Sequence, residues 1–275
     1  MDAAQTDTVV DVNEEMLFVG DEEFSGLKNT VVIIPALNKE SSIGMVLRDL
    51  PRVGLVIVVD SGSSDSTASI ALALGATVIR EDRRGYGQAC LAGMRYLEEV
   101  AASLPSAPDY VAFLDADYSD HPNLLDQLID PIHSGTADFV LGSRLLGRRE
   151  RGAMPWQSVW GNKLAVSLIR IFWGYRYSDL GPFRAMHRNA LSDLRMQECN
   201  FGWTVEMQIK AAVAHLRILE IPVPYRCGIG SSNTSGTILG SIKAAYNILY
   251  TIAKYRSRIS PAKRDLLRRK QVSVS

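Results

Sequence analysis

Short apolar runs alternate with helical patterns through the first half of the chain. Strands are predicted at 30–34, 55–59, 77–80, 110–114 and 138–141, with helices at 41–50, 66–74, 87–102 and 122–130 between them. Such alternation implies βαβ units, and so an α/β fold on a mostly parallel sheet. After Arg144 it stops. Leu145 to Pro155 is rich in Arg and Gly without periodicity and reads as a loop, one that orders over bound substrate. Two later stretches regain helical spacing: Val159 to Tyr177, and Ile238 to Tyr255 near the C-terminus. Core packing is the commoner cause of such amphipathic patterns, while aromatic residues with flanking cations also suit a membrane interface. No stretch reaches the roughly 20 consecutive apolar residues of a membrane span.

The strand ends carry the chemistry. The run Tyr110 to Leu114 closes in Asp115-Ala116-Asp117, and paired carboxylates there can hold a hard divalent cation against a diphosphate. The first run leads into Pro35-Ala36-Leu37-Asn38-Lys39-Glu40, and the second ends in Asp60-Ser61-Gly62-Ser63-Ser64-Asp65. Open α/β sheets bind ligands beyond the carboxyl ends of their strands, so Asn38, Glu40, Asp60, Asp115 and Asp117 are expected to converge on one crevice. Taken singly, each is equally well read as a turn residue or helix cap.

In company, these segments carry a resemblance over residues 30 to about 255. Ile34 to Glu40, Val59 to Thr67, Arg84-Gly85-Tyr86-Gly87-Gln88-Ala89, Leu114 to Asp117 and Gly142-Ser143-Arg144 resemble, in order, blocks of the family 2 GT-A glycosyltransferases. The branch they resemble is the dolichyl- and polyprenyl-phosphate sugar synthases. That resemblance implies a Rossmann-like GT-A fold, a UDP- or GDP-linked sugar donor, Mg²⁺ or Mn²⁺, and inversion at the anomeric carbon. It gives Ala36, Asn38, Glu40 and Asp60 to the base and ribose, and Arg84 with the Gly85/Gly87 loop to the diphosphate. Pro35, Leu37, Gly62, Ala116, Arg144, Arg184 and Arg226 complete the expected nucleotide-sugar site, with Asp117 and Asp115 on the metal. Asp179 is the first candidate for the base that deprotonates the acceptor, and Glu206 the second. A plain turn also explains the two glycines.

The acceptor is left open between a polyprenyl phosphate and a small soluble molecule. Where that branch has a basic residue after Gly-x-Ser, this chain has Asn233 after Gly230-Ser231-Ser232, and Ser119 stands where an amide is frequent. Asn donates a hydrogen bond but does not neutralise a phosphate. Arg184 and Tyr225-Arg226 are placed to compensate.

Composition narrows the rest. With 275 residues, 47% of them hydrophobic, the chain suits one large domain. Thirty basic residues balance thirty acidic ones, so no global field favours nucleic acid. Residues 1–27 read as an acidic flexible leader, 28–258 as the glycosyltransferase domain and 259–275 as a basic flexible tail. Three cysteines without metal-ligand spacing, and no signal-peptide pattern, point to the cytoplasm or the inner face of a membrane, with peripheral contact and a homo-oligomer left open. Two other classes compete. A nucleotidyltransferase would show a Gly-x-Gly-Thr-Arg segment where Pro35-Ala36-Leu37-Asn38 stands, and a catalytically silent nucleotide-sugar-binding scaffold would not need Asp60, Asp115, Asp117 and Asp179 together.

Overall fold

β-branched and aromatic runs make the strands of a seven-stranded sheet in the order β3-β2-β1-β4-β6-β5-β7, described in a computed structural model over residues 25–103, 107–230 and 238–258. The strands are β1 (Thr30–Ala36), β2 (Leu55–Asp60), β3 (Thr77–Arg80), β4 (Tyr110–Phe113), β5 (Phe139–Ser143), β6 (Arg184–His187) and β7 (Ile218–Pro222). All pair in parallel except β6, which runs antiparallel between β4 and β5. Arg184, the first residue of β6, pairs with Phe113 and Leu141 near the ends of those strands. Consequently the chain entering β6 shares an edge with the chain leaving β4 and β5.

Helices cover both faces: α1 (Ser25–Lys28), α2 (Ile43–Asp49), α3 (Thr67–Ala73), α4 (Tyr86–Val100), α5 (Leu125–His133), α6 (Trp156–Trp173), α7 (Arg188–Leu194), α8 (Trp203–Val213) and α9 (Ile238–Arg258). Alternate strand residues feed two cores. Val31, Ile33, Ile57, Val59, Val111 and Phe113 pack with α4, α6 and α8, while Val32, Ile34, Val58, Ala112 and Val140 pack with α2 and α5. Burial on both faces explains why the central strands read as continuous apolar runs rather than alternating ones.

Several expectations shift at their margins. Leu27, at the end of the segment expected as a leader, is buried in the core. Residues 1–24 and 259–275, with most of the acidic leader and the basic tail, lie outside the described residues, as does Asn233. The Arg/Gly-rich stretch after Arg144 is a loop, but one already fastened. Arg149 bridges to Tyr225, the Tyr225 amide donates to the Arg148 carbonyl at 2.9 Å, and the Cys227 amide donates to Glu150 at 2.9 Å. The two amphipathic stretches divide their apolar residues. In α6, Ala165, Ile169 and Trp173 are buried but Trp156, Trp160, Leu164 and Ile171 are exposed; in α9, Ile252 and Tyr255 are buried but Tyr246, Leu249 and Tyr250 are exposed.

Glu206 is a structural hub instead of a free base. Fully buried on α8, its carboxylate accepts hydrogen bonds from the amides of Gln197 and Glu198 and from the Tyr255 hydroxyl, and pairs with Lys210 at 2.8 Å. Burial pushes the carboxyl up, but Lys210, Tyr255 and the two amides outweigh it and hold its pKa below the ordinary value. With every acceptor position engaged, proton abstraction from a substrate is not open to it. A carboxylate whose pKa is lower folded than unfolded stabilises the fold above its unfolded pKa, and that contribution fades as pH falls through the folded value. Glu206→Gln should therefore lower unfolding free energy by about 1–3 kcal/mol at neutral pH, and this gap should shrink below about pH 4. Chemical denaturation of both proteins across pH checks this; an equal gap at all pH values removes Glu206 as the cause.

Candidate active site

The carboxyl ends of β1, β2, β4 and β5 and the turn into β6 gather most of the expected residues at one edge of the sheet. Pro35 and Ala36 close β1 beside Val59 and Asp60 of β2, and Ala36 accepts a hydrogen bond from the Ser61 amide at 2.9 Å. Asp60 is buried, with its carboxylate taking the Ser63 amide at 3.1 Å. Beyond Leu37, Asn38 adopts a left-handed backbone (φ 52°) and accepts from the Ser64 amide at 2.9 Å, while Glu40 accepts from the Ser66 amide at 3.0 Å. These two side chains thus stitch the first strand's loop to the second's. Gly62, at φ 80°, opens that second loop. The pair of loops forms one rigid wall, with Asp60 at its base.

The acidic centre follows β4. Ala116 is buried, and its carbonyl receives the Ser42 hydroxyl at 2.7 Å, which fixes the Asp115–Asp117 segment to the start of α2. Asp117 accepts from the Ser119 amide at 3.0 Å and its hydroxyl at 2.6 Å. A side chain at Gly228 would sit 2.6 Å from the other Asp117 oxygen, so the chain after β7 closes over this carboxylate only because residue 228 lacks one. Asp115 is pushed up to about 6, first by burial and then by the charge of Asp117. Asp120 was not foreseen. Both its carboxyl oxygens are buried without a hydrogen-bond partner, and burial, followed by the charge of Asp115, raises it well above the usual carboxylate range. Burial thus disfavours its charged form. The only signal in the sequence was its place three residues beyond Asp117, where an acid on a polar turn looks solvated.

On the opposite side, Asp179 and Arg144 form a closed pair. Arg144 Nε reaches Asp179 Oδ2 at 2.8 Å, its terminal nitrogen reaches Oδ1 at 2.9 Å, and its amide adds a third bond at 2.8 Å. The Leu180 amide donates a fourth at 2.7 Å. Burial raises the Asp179 carboxyl, yet the Arg144 charge and these bonds bring it below its ordinary value. A carboxylate so held is a poor proton acceptor. Arg144 also lies over the Tyr225 ring, 5.1 Å from its centroid.

Four basic or glycine positions are used by the scaffold. Arg184 is fully buried, donating to the carbonyls of Leu180, Gly181 and Thr204, and burial brings its pKa down to about 10. Arg226 donates to the carbonyls of Tyr118 at 2.5 Å and Asp120 at 2.9 Å and stacks 3.4 Å from the Tyr118 ring centroid, so it braces the acidic loop. A Cβ on Gly87 would fall 2.1 Å from the Glu198 carbonyl and one on Gly85 2.2 Å from that of Cys199, so main chain, rather than a diphosphate, fills the space their missing side chains leave. Arg84 is exposed on the same loop, while its neighbour Arg83 pairs with Glu81.

Among the described residues no three His, Cys, Asp or Glu side chains come together as a metal cage. Mg²⁺ and Mn²⁺ fit what is present, because they keep water and substrate phosphate oxygens and ask for one or two protein carboxylates. Asp117 and Asp115 would supply these, and the strain on Asp115 is what a bound cation relieves.

Against known proteins, the profile described as Glycosyl transferase family 2 matches residues 31–195, more than half of the chain. An uncharacterised glycosyltransferase of Mycobacterium tuberculosis is 36% identical over 216 residues, covering 78% of this chain and 93% of that protein. The dolichyl-phosphate hexose transferase of Haloferax volcanii is 33% identical over 200 residues, covering 71% and 82%. In fold, the chain is similar to glucosyl-3-phosphoglycerate synthase of Mycobacterium tuberculosis, solved with Mn²⁺, uridine diphosphate and glucosyl-3-phosphoglycerate, with a TM-score of 0.65, 23% identity and coverage of 86% and 82%. The chain belongs to glycosyl transferase family 2 and is a glycosyltransferase of GT-A fold.

The acidic centre generates a test that does not need the substrate. Asp117→Asn should abolish the stabilisation by Mn²⁺ seen with a nucleoside diphosphate, and should lower the Asp115 pKa by removing its neighbour's charge. Thermal shift and carboxyl titration by NMR measure the two effects; unchanged Mn²⁺ stabilisation rejects Asp117 as a ligand.

Proposed function

We propose that this chain transfers a sugar, with inversion, from a uridine or guanosine diphosphate sugar to a polyprenyl phosphate, using Mg²⁺ or Mn²⁺. The observation that carries the reading is the Asp179–Arg144 pair, which engages the carboxylate expected to serve as the acceptor's base. An acceptor hydroxyl would need such a base, whereas a phosphate is already ionised and needs none. The similarity to a dolichyl-phosphate hexose transferase supports the same choice. One phosphate oxygen attacks the anomeric carbon from the face opposite the diphosphate; the bond to the leaving oxygen breaks, and its electron pair departs with the nucleoside diphosphate. When bound, the cation neutralises charge on that leaving group.

The residues divide the work. Asp60 accepts from the base, and Pro35, Ala36, Leu37, Asn38, Glu40 and Gly62 form the wall along base and ribose. Arg84 meets the diphosphate from its exposed loop. Arg144, fixed in place by Asp179, faces the acceptor phosphate, so Asp179 acts as a positioning residue. Three free cysteines, of which Cys199 and Cys227 are exposed, fit a reducing compartment and a cytoplasmic site of reaction.

A panel of acceptors tests the reading: a polyprenyl phosphate, the matching polyprenol, and small soluble hydroxyl compounds, each with uridine and guanosine diphosphate sugars. Transfer should occur to the lipid phosphate; transfer to a soluble hydroxyl instead would overturn it. Asp179→Asn should raise KM for the phosphate acceptor and leave kcat within about tenfold, against the roughly 10²- to 10⁴-fold loss that follows removal of a general base. Asp60→Ala should weaken nucleotide binding by about 1–3 kcal/mol with and without metal, as read by calorimetry; unchanged affinity would reduce Asp60 to a loop cap.

A further inference from the structure

Helix α6 buries one face and displays its opposite. Asn162, Ala165, Ile169 and Trp173 face the core, while Trp156, Trp160 and Leu164, spaced four residues apart, and Ile171 on the same side are 70%, 68%, 50% and 55% exposed. Leu146, on the loop before the helix, is 56% exposed. Large apolar groups gathered on one side in this way mark an interaction surface rather than scattered exposure. Their charged company is one-sided. From Leu145 to Trp173 the chain has five bases, Arg148, Arg149, Arg151, Lys163 and Arg170, against one acid, Glu150; all five bases are exposed, and Glu150 is occupied with the Cys227 amide.

The geometry points to this face of α6, with the Arg148–Arg151 loop, as a docking surface for an anionic lipid bilayer. Indole rings settle at the headgroup level with their apolar bodies inward, and flanking cations pair with anionic headgroups. A second copy of the chain is the poorer occupant. A two-fold contact through this patch would set the same five cations of each copy against one another. No helix among the described residues is long and apolar enough to cross a membrane, so contact through this face would be peripheral. The inference rests on the lipid-phosphate reading only in its purpose, since docking would hold the acceptor side against the membrane carrying the acceptor.

The test uses the full chain and sedimentation with vesicles of phosphatidylcholine, with and without phosphatidylglycerol. Wild type should sediment with the anionic vesicles and stay in solution with the neutral ones. Trp156→Ala/Trp160→Ala should weaken partitioning about tenfold or more. Arg149→Ala/Arg151→Ala should weaken it about 25-fold, because each base near an anionic surface strengthens binding about fivefold. Both variants should keep the wild-type melting temperature and transfer rate with a detergent-dispersed short-chain acceptor. Wild type remaining in solution with anionic vesicles, or variants that sediment like wild type, would overturn the proposal. A concentration-dependent dimer that the tryptophan variant abolishes, without vesicle binding, would assign the face to a second copy. Vesicle binding without sugar transfer to any lipid phosphate would strike the proposed reaction and leave the docking surface standing.

Discussion

Negative charge at one edge of the sheet is the constraint that organises this molecule. Asp115, Asp117, Asp120 and Asp179 act on one another electrostatically, and Arg144 is the cation that answers them. Like charges in a poorly hydrated site do not all ionise, and the chain resolves the conflict differently for each. Pairing with Arg144 holds the Asp179 carboxyl below its ordinary value, burial raises that of Asp120 well above the carboxylate range, and Asp115 is pushed up to about 6. Crowded carboxyl groups of this kind would be relieved by a divalent cation, which is the role proposed for Asp115 and Asp117.

The fold was legible because burial on both faces writes itself into composition. Central strands sandwiched between helices show as continuous β-branched runs, and β1, β2 and β4 were found within two residues of their ends. What followed Arg144 was harder. Strand β6 is four residues long and mixed in character, Arg-Ala-Met-His, and its antiparallel insertion between β4 and β5 depends on contacts made far away in sequence. Tertiary pairing, not local preference, makes it a strand.

Legibility of the site followed the same division. Residues placed at a strand end, Asp60, Asp115 and Asp117, could be located from the apolar runs that precede them. The surroundings of those that depend on a partner could not be read from spacing. Glu206 was expected as a second candidate base and Arg184 in the nucleotide-sugar site, yet each is engaged by local donors or acceptors that no spacing rule reveals. Gly85 and Gly87 were expected beside a diphosphate or in a plain turn, and the main chain of Glu198 and Cys199 packs against them. Asp120 escaped for the converse reason: its lack of a partner is a three-dimensional fact.

The Asp179–Arg144 turn and the helix that carries the exposed aromatic stripe are directly joined. Asn162, on the buried face of α6, accepts the Leu180 amide at 2.9 Å, and Leu180 follows the residue that clamps Arg144. Gln208 on α8 donates to the Asp179 carbonyl at 2.9 Å, and the Ser178 hydroxyl ties the same turn to Ser143 at 2.7 Å. The turn that presents Arg144 is thus held from below by α8, from the side by β5 and from above by α6. The hydrogen bond from Leu180 to Asn162 is a direct link between the helix and that turn. The hydrogen bonds that fix α6 to the Asp179 turn therefore also help to fix Arg144.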